Sequence, residues 1–287
     1  MARFSFSGHE TFTCKSLWLK KGFDYLLSGY SFTADDAVVR LGVGKNMVSS
    51  IRFWSKAFGM TQNDRPAALA EYLFSDTEGR DPYAEDINTL WILHYQLVSC
   101  QVASLYGMLF LDVQREQKTF DREQLQAYVK RRCSVPEQKN VYNENTVKKD
   151  IGVLLANYVM PDSKKSLEDF GALLLDLGLI RKVEQKYTFN QTQPTQIARE
   201  VILYALLDYC ERQNTRTLSN DALQEIALIF CLNQTDLIAI LQQLARDYAG
   251  RMDYQDNSGV RNVLFTGEAL DKNVVLDCYY TTRNNQK

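Results

Sequence analysis

The stretch Thr33–Gly59, TADDAVVRLGVGKNMVSSIRFWSKAFG, predicts two helices joined by a tight glycine turn. The first places Ala37, Val38 and Leu41 on one face before Gly42-Val43-Gly44 interrupts it. The second places Met47, Ile51, Trp54 and Phe58 at spacings of four, three and four, which is one apolar stripe of a helix. Its opposite face carries Lys45, Asn46, Ser49, Arg52 and Lys56. Such side chains grip phosphates or reach base edges when a helix enters a groove. From Val39 to Ala57 there are four basic residues, Arg40, Lys45, Arg52 and Lys56, and no acid. The pattern fits a helix-turn-helix whose second helix faces an anion. The alternative is a scaffold helix whose charged face is simply solvated.

Composition narrows the setting. The chain has 287 residues, 45% hydrophobic and 24% charged, as in soluble globular proteins with two or three small domains. A net charge of −2 excludes a uniformly basic nucleic-acid binder. The charge is polarised, however. Residues 1–60 hold eight Lys or Arg against four acids, and residues 200–287 hold eight against twelve. That asymmetry suits one nucleic-acid face and one protein-facing or structural end. Six scattered cysteines without a CxxC pair, and two histidines, argue for free thiols rather than structural zinc. No signal-peptide core and no apolar run of about 18 residues is present, which predicts a cytoplasmic chain with no membrane partner.

Along the chain the pattern is mostly α, with serial helix-turn-helix or winged-helix modules and short β-hairpins. The boundaries expected are an N-terminal helix-turn-helix domain over 1–115 and winged-helix-like domains over 116–195 and 196–287. In the first, an aromatic strand at Phe4 and Phe6 precedes a helix from Lys15 to Leu27, and Leu69–Ser75 reads as a strand or wing. Ile87, Leu90, Trp91, His94, Leu97 and Val98 form one helical face. In the second, helices are expected at Asp121–Cys133, from Asn145 or Thr146 to Tyr158, and at Leu167–Leu177. A hairpin of Leu179–Val183 and Lys186–Phe189 follows. In the third, helices at 198–213, 220–226 and 235–248 precede a hairpin turned at Asp256-Asn257-Ser258-Gly259.

Chemistry has few candidates. His9-Glu10, on a turn after Gly8, can act as a general base with its orienter or as two ligands of a divalent metal. The alternative is that both simply hydrogen-bond across the start of the next helix. His94, on an apolar helical face, reads as a satisfied core histidine. Pro161-Asp162 followed by Glu184-Gln185-Lys186 matches the PD…ExK pattern of metal-dependent nucleases, but a helix is expected between the parts where that fold needs strands. Lys130-Arg131-Arg132 with Lys148 and Lys149 forms either a second phosphate-binding surface or a solvated face balanced by Glu137, Glu144 and Asp150.

Several strings together carry a family resemblance: FSGHETF (6–12), WLKKG (18–22), DPYxEDxxTLWxLH (81–94), KxDxxxLLxxY (148–158) and EDFxxLLLxLGLI (168–180). In this order they resemble the bacterial domain-of-unknown-function family 4007, over roughly residues 4–280. The resemblance implies an SspB-like, DNA-nicking component of a DNA phosphorothioation system used in anti-phage defence. Its implied partners are DNA, a cysteine desulfurase, an ATP-dependent sulfur-transfer enzyme and an ATPase. A nickase implies a divalent ion, Mg²⁺ or Mn²⁺. His9 and Glu10 fall in a matching string and are the catalytic candidates; Lys45, Asn46, Ser49, Arg52, Lys56, Lys148 and Lys149 are the DNA-contact candidates. A non-catalytic DNA-docking adaptor and a transcriptional regulator are the rival readings.

Overall fold

Gly42 closes α2 (Ala37–Leu41) in the left-handed region, at φ 62°, and Gly44 then opens α3 (Lys45–Ala57). The two helices of the 33–59 stretch thus form around the turn that the glycines permit. α1 (Trp18–Leu27) packs across α3, and Gly22 allows the approach: a Cβ there would lie 2.7 Å from Ser55 Oγ. The computed structural model describes residues 3–138, 140–161 and 171–284. They pack as two units, Met1–Asn190 and Gln191–Lys287. The protein is mostly helical, with small antiparallel sheets.

In the first unit, α3 leads into a hairpin of β1 (Thr61–Gln62) and β2 (Arg65–Pro66), turned by Asn63 and Asp64, both at positive φ. The segment expected as a strand at Leu69–Ser75 is instead α4 (Ala68–Phe74). Ala, Leu and Glu favour helix, and the wing-like turn lies just upstream, where Asn and Asp tolerate left-handed backbone. α5 (Ile87–Ser99) is capped by Asp86, which accepts the Asn88 amide at 2.6 Å. Every residue from Asn88 to Val98 is buried, so this helix is core all round rather than one-faced. His94 Nδ1 meets Tyr158 Oη at 2.8 Å, a satisfied core histidine.

α6 (Ser104–Gly107) continues through a π-helical stretch, Met108–Val113, into α7 (Gln114–Glu116). β3 (Thr119–Phe120) then precedes α8 (Arg122–Arg132), whose Asp121 and Gln124 form a reciprocal capping box. α9 (Glu144–Tyr158) starts at Asn143, which accepts the Thr146 amide. β4 (Ile180–Val183) and β5 (Lys186–Phe189) complete a three-stranded sheet in the order β3-β5-β4.

Two expected elements do not form among the described residues, for one reason. The Phe4–Phe6 strand does not form, because the amides of Phe4, Ser5, Ser7 and Cys14 donate to side chains of Gln138, Ser104, Asp150 and Asn157. Of the helix expected at Leu167–Leu177, residues 167–170 lie outside the described residues, as does Asp162. From 171 onward the backbone pairs with the N-terminal segment (Ser16 N–H to Gly171 O, Leu173 N–H to Cys14 O) and makes one 3-10 turn, Leu175–Leu177. Amide groups engaged by a distant segment are not free to close a helix.

The second unit runs α10 (Arg199–Gln213), β6 (Thr217–Leu218), α11 (Asn220–Ile229), α12 (Gln234–Asp247), β7 (Met252–Asn257), β8 (Val260–Phe265) and α13 (Lys272–Asn284). Its sheet order is β6-β8-β7. The order helix, strand, helix, helix, hairpin therefore occurs in both units, with the hairpin's second strand central each time. α13 packs along α10, and Lys272 Nζ lies 2.7 Å from Asp208 and 2.6 Å from Glu211. Among the described residues no single helix is long and apolar enough to cross a membrane.

Candidate nucleic-acid interface

The 33–59 pattern divides α3 as its spacing requires. Val48, Ile51, Trp54 and Ala57 are buried, while Lys45, Asn46, Ser49, Arg52 and Lys56 are all exposed. Met47 is half-buried at the edge. Burial of Trp54 fixes the helix's rotation: its ring is fully enclosed, stacks on His9 and donates Nε1–H to Phe12 O at 3.1 Å. The outward face is thereby held rigidly. At the helix start Gly44 offers no side-chain cap and no acid occupies the first turn. Free amides and the positive end of the helix dipole thus add to Lys45 and Asn46.

Arg52 is differently placed from the other four. Its guanidinium grips Asp64 of the β1–β2 turn with both Nε (3.0 Å to Oδ1) and an Nη. The hydrogen bond from Arg52 holds the Asp64 carboxyl below its ordinary value of 3.8. A carboxyl depressed in the folded state contributes stability above its ordinary range, and loses it as pH falls through the folded pKa. An NMR titration should therefore find the Asp64 midpoint below 3.8 in the wild type and higher in Arg52→Ala. Asp64→Asn should free the guanidinium and raise duplex affinity about fivefold near 0.15 M salt, the gain of roughly one phosphate contact. Unchanged affinity would place Arg52 outside any DNA contact.

His9 and Glu10 do not form the expected pair. Glu10 is exposed, at φ 48°, and Thr11 follows at φ 68°. His9 is buried at 4% exposure, and its carboxylate neighbour is Asp150 of α9, 3.2 Å from Nε2. The Thr11 amide donates to Nδ1 at 3.2 Å, which places the ring proton on Nε2, facing Asp150. Asp150 Oδ2 takes the Ser7 amide at 2.8 Å, and Ser50 Oγ of α3 donates to the His9 carbonyl at 3.0 Å. The FSGHETF loop is therefore a clamp between α3 and α9. Its partner was hidden in the sequence because it stands 141 positions away; KxDxxxLL contained it without marking its role. Ser7, Glu10 and Thr11 all sit at positive φ, a local cost of about 1–2 kcal/mol each that the clamp must overcome.

The remaining candidates separate. Lys148 and Lys149 are exposed on α9. Lys130, Arg131 and Arg132 lie in the last turn of α8, where cations suit the dipole. Arg131 and Arg132 reach Glu116 (3.6 Å) and Asp112 (3.8 Å), not the acids expected from sequence. Glu184-Gln185 forms the β4–β5 turn, with Lys186 opening β5, so the ExK half of the nuclease pattern is a hairpin tip. Among the described residues no group of three or more His, Cys, Asp or Glu converges to hold a metal ion.

Two solved structures resemble the chain along its length. One, described as the SspB crystal structure, aligns at a TM-score of 0.82 and 30% identity, over 96% of this chain and 88% of that one. The other, described as magnesium ion-bound SspB, aligns at 0.79 and 27%, with the same coverage. No curated protein matches by sequence. The family described as protein of unknown function DUF4007 matches residues 6–280. The chain belongs to the DUF4007 family.

Proposed function

We propose that this protein is an SspB-like component of a bacterial DNA phosphorothioation system that holds duplex DNA through α3 and nicks one strand. The observation that carries the DNA contact is the outward face of α3. Five exposed residues, Lys45, Asn46, Ser49, Arg52 and Lys56, share a rigidly held helix face without an acid among them. The repeated order helix, strand, helix, helix, hairpin supports reading residues 116–195 and 196–287 as winged helices, with 1–115 as the helix-turn-helix domain. In such folds the third helix enters the groove and the hairpin flanks it. Nicking rests on the family resemblance: one broken phosphodiester frees a strand for the sulfur-transfer enzymes.

A divalent ion is supported by the magnesium of the second similar structure. The described donors of this chain do not converge on such an ion. His9 is enclosed by Trp54, Phe53 and Asp150, and its role in this reading is positioning. Glu10 is the carboxylate of the loop that reaches solvent. Supercoiled plasmid incubated with the protein and Mg²⁺ or Mn²⁺ tests the assignment. Open-circle product that disappears in Glu10→Gln, with an unchanged melting temperature, supports catalysis by this loop. Nicking that survives Glu10→Gln removes Glu10 from the chemistry, and absence of nicking with either ion favours a docking adaptor.

A further inference from the structure

The β4–β5 hairpin presents six consecutive exposed residues, Arg181 to Lys186. Arg181, Lys182 and Lys186 are basic; Glu184, at the turn, is the one acid. The register pairs Arg181 with Thr188 and Val183 with Lys186. By strand alternation these four share one sheet face, while the buried Ile180, Tyr187 and Phe189 take the other. Among the described residues neither Arg181 nor Lys186 has an acidic partner. α9, which carries the exposed Lys148 and Lys149, packs against β4.

The second unit supplies an internal comparison. Its hairpin, β7–β8, holds the same place in the same element order. There Asp253 and Asp256 outnumber Arg261, whose Nε is already 3.0 Å from Asp256 Oδ2. The fold therefore does not require a cationic hairpin, and the charge on β4–β5 needs another reason. Val183 is its one exposed large apolar side chain, at 46%. Protein-docking surfaces are centred on aromatic or apolar anchors, whereas phosphate-docking surfaces are cationic and polar.

We propose that the β4–β5 hairpin is a second contact for duplex DNA, with Arg181 and Lys186 gripping backbone phosphates as part of a surface that includes Lys148 and Lys149. The proposal rests on the DNA-binding reading above. Such contacts position the duplex and carry no sequence information. The test is fluorescence anisotropy with a labelled 20-base-pair duplex of arbitrary sequence, over 0.05–0.3 M KCl. The proteins are wild type, Arg181→Ala/Lys186→Ala, Arg181→Lys/Lys186→Arg and Lys45→Ala/Lys56→Ala, each checked by thermal melting.

Loss of two phosphate contacts should flatten the log–log salt slope by about 1.8 and weaken binding about 30-fold near 0.15 M. The charge-preserving variant should stay within about threefold of wild type, since both side chains still reach phosphates as cations. A wild-type slope and affinity in the Arg181→Ala/Lys186→Ala protein, with the α3 variant weakened, overturns the hairpin contact and leaves the DNA reading standing. A wild-type protein that fails to bind the duplex overturns both.

Discussion

Replacing Asp150 by Ala will destabilise the first unit by about 2–3 kcal/mol, the usual cost of losing a buried carboxylate that takes a backbone amide. The carboxylate is 5% exposed and receives the Ser7 amide while facing His9 Nε2. Its removal leaves the Ser7 amide without its acceptor and His9 Nε2 without the facing carboxylate. It also releases a loop that holds three residues at positive φ. For a unit of this size the melting temperature falls about 2–4 °C per kcal/mol, so the expected drop is on the order of 10 °C. Asp150→Asn keeps one acceptor oxygen, enough for the Ser7 amide, and should lose less. Glu10→Gln and Lys149→Ala, both exposed, should melt within about 2 °C of wild type. An Asp150→Ala protein that melts like wild type would show that the loop is held by something other than this clamp.

The second large effect is on DNA binding. Lys45→Ala/Lys56→Ala should weaken binding to a 20-base-pair duplex about 30-fold near 0.15 M salt and flatten its salt dependence by roughly 1.8. The two side chains belong to the first and last turns of one helix, on a face set by the burial of Ile51 and Trp54. Neither contributes to the core, so the loss should come without a change in melting temperature. An affinity loss that persists unchanged at every salt concentration would point to lost base contacts or lost folding instead of lost phosphate contacts.

The helical skeleton was legible wherever local chemistry dictated it. Apolar spacing in α3 and the Asp256-Asn257-Ser258-Gly259 turn each specify their structure within a few residues. The N-terminal segment was not legible, because its amides are satisfied by Gln138, Ser104, Asp150 and Asn157, far away in the sequence. α13 is not among the helices expected from the sequence; it buries Val275, Leu276 and Tyr280 and is anchored through Lys272 to two acids of α10. The DNA-contact candidates of α3 and α9 emerged as exposed residues, since a face opposite an apolar stripe is fixed by periodicity. The His9-Glu10 pair did not form, because adjacency in sequence on a turn sends successive side chains in different directions. The strings FSGHETF and WLKKG are explained here by packing: His9 clamps α9, and Gly22 lets α1 meet α3.

Lysine footprinting tests whether the outward face of α3 meets DNA. Acetylation rates of each lysine would be compared by mass spectrometry with and without saturating duplex. Lys45 and Lys56 should be strongly protected at low salt, with the protection lost as salt releases the duplex. Bound duplex that leaves Lys45 and Lys56 as reactive as in the free protein would contradict that contact.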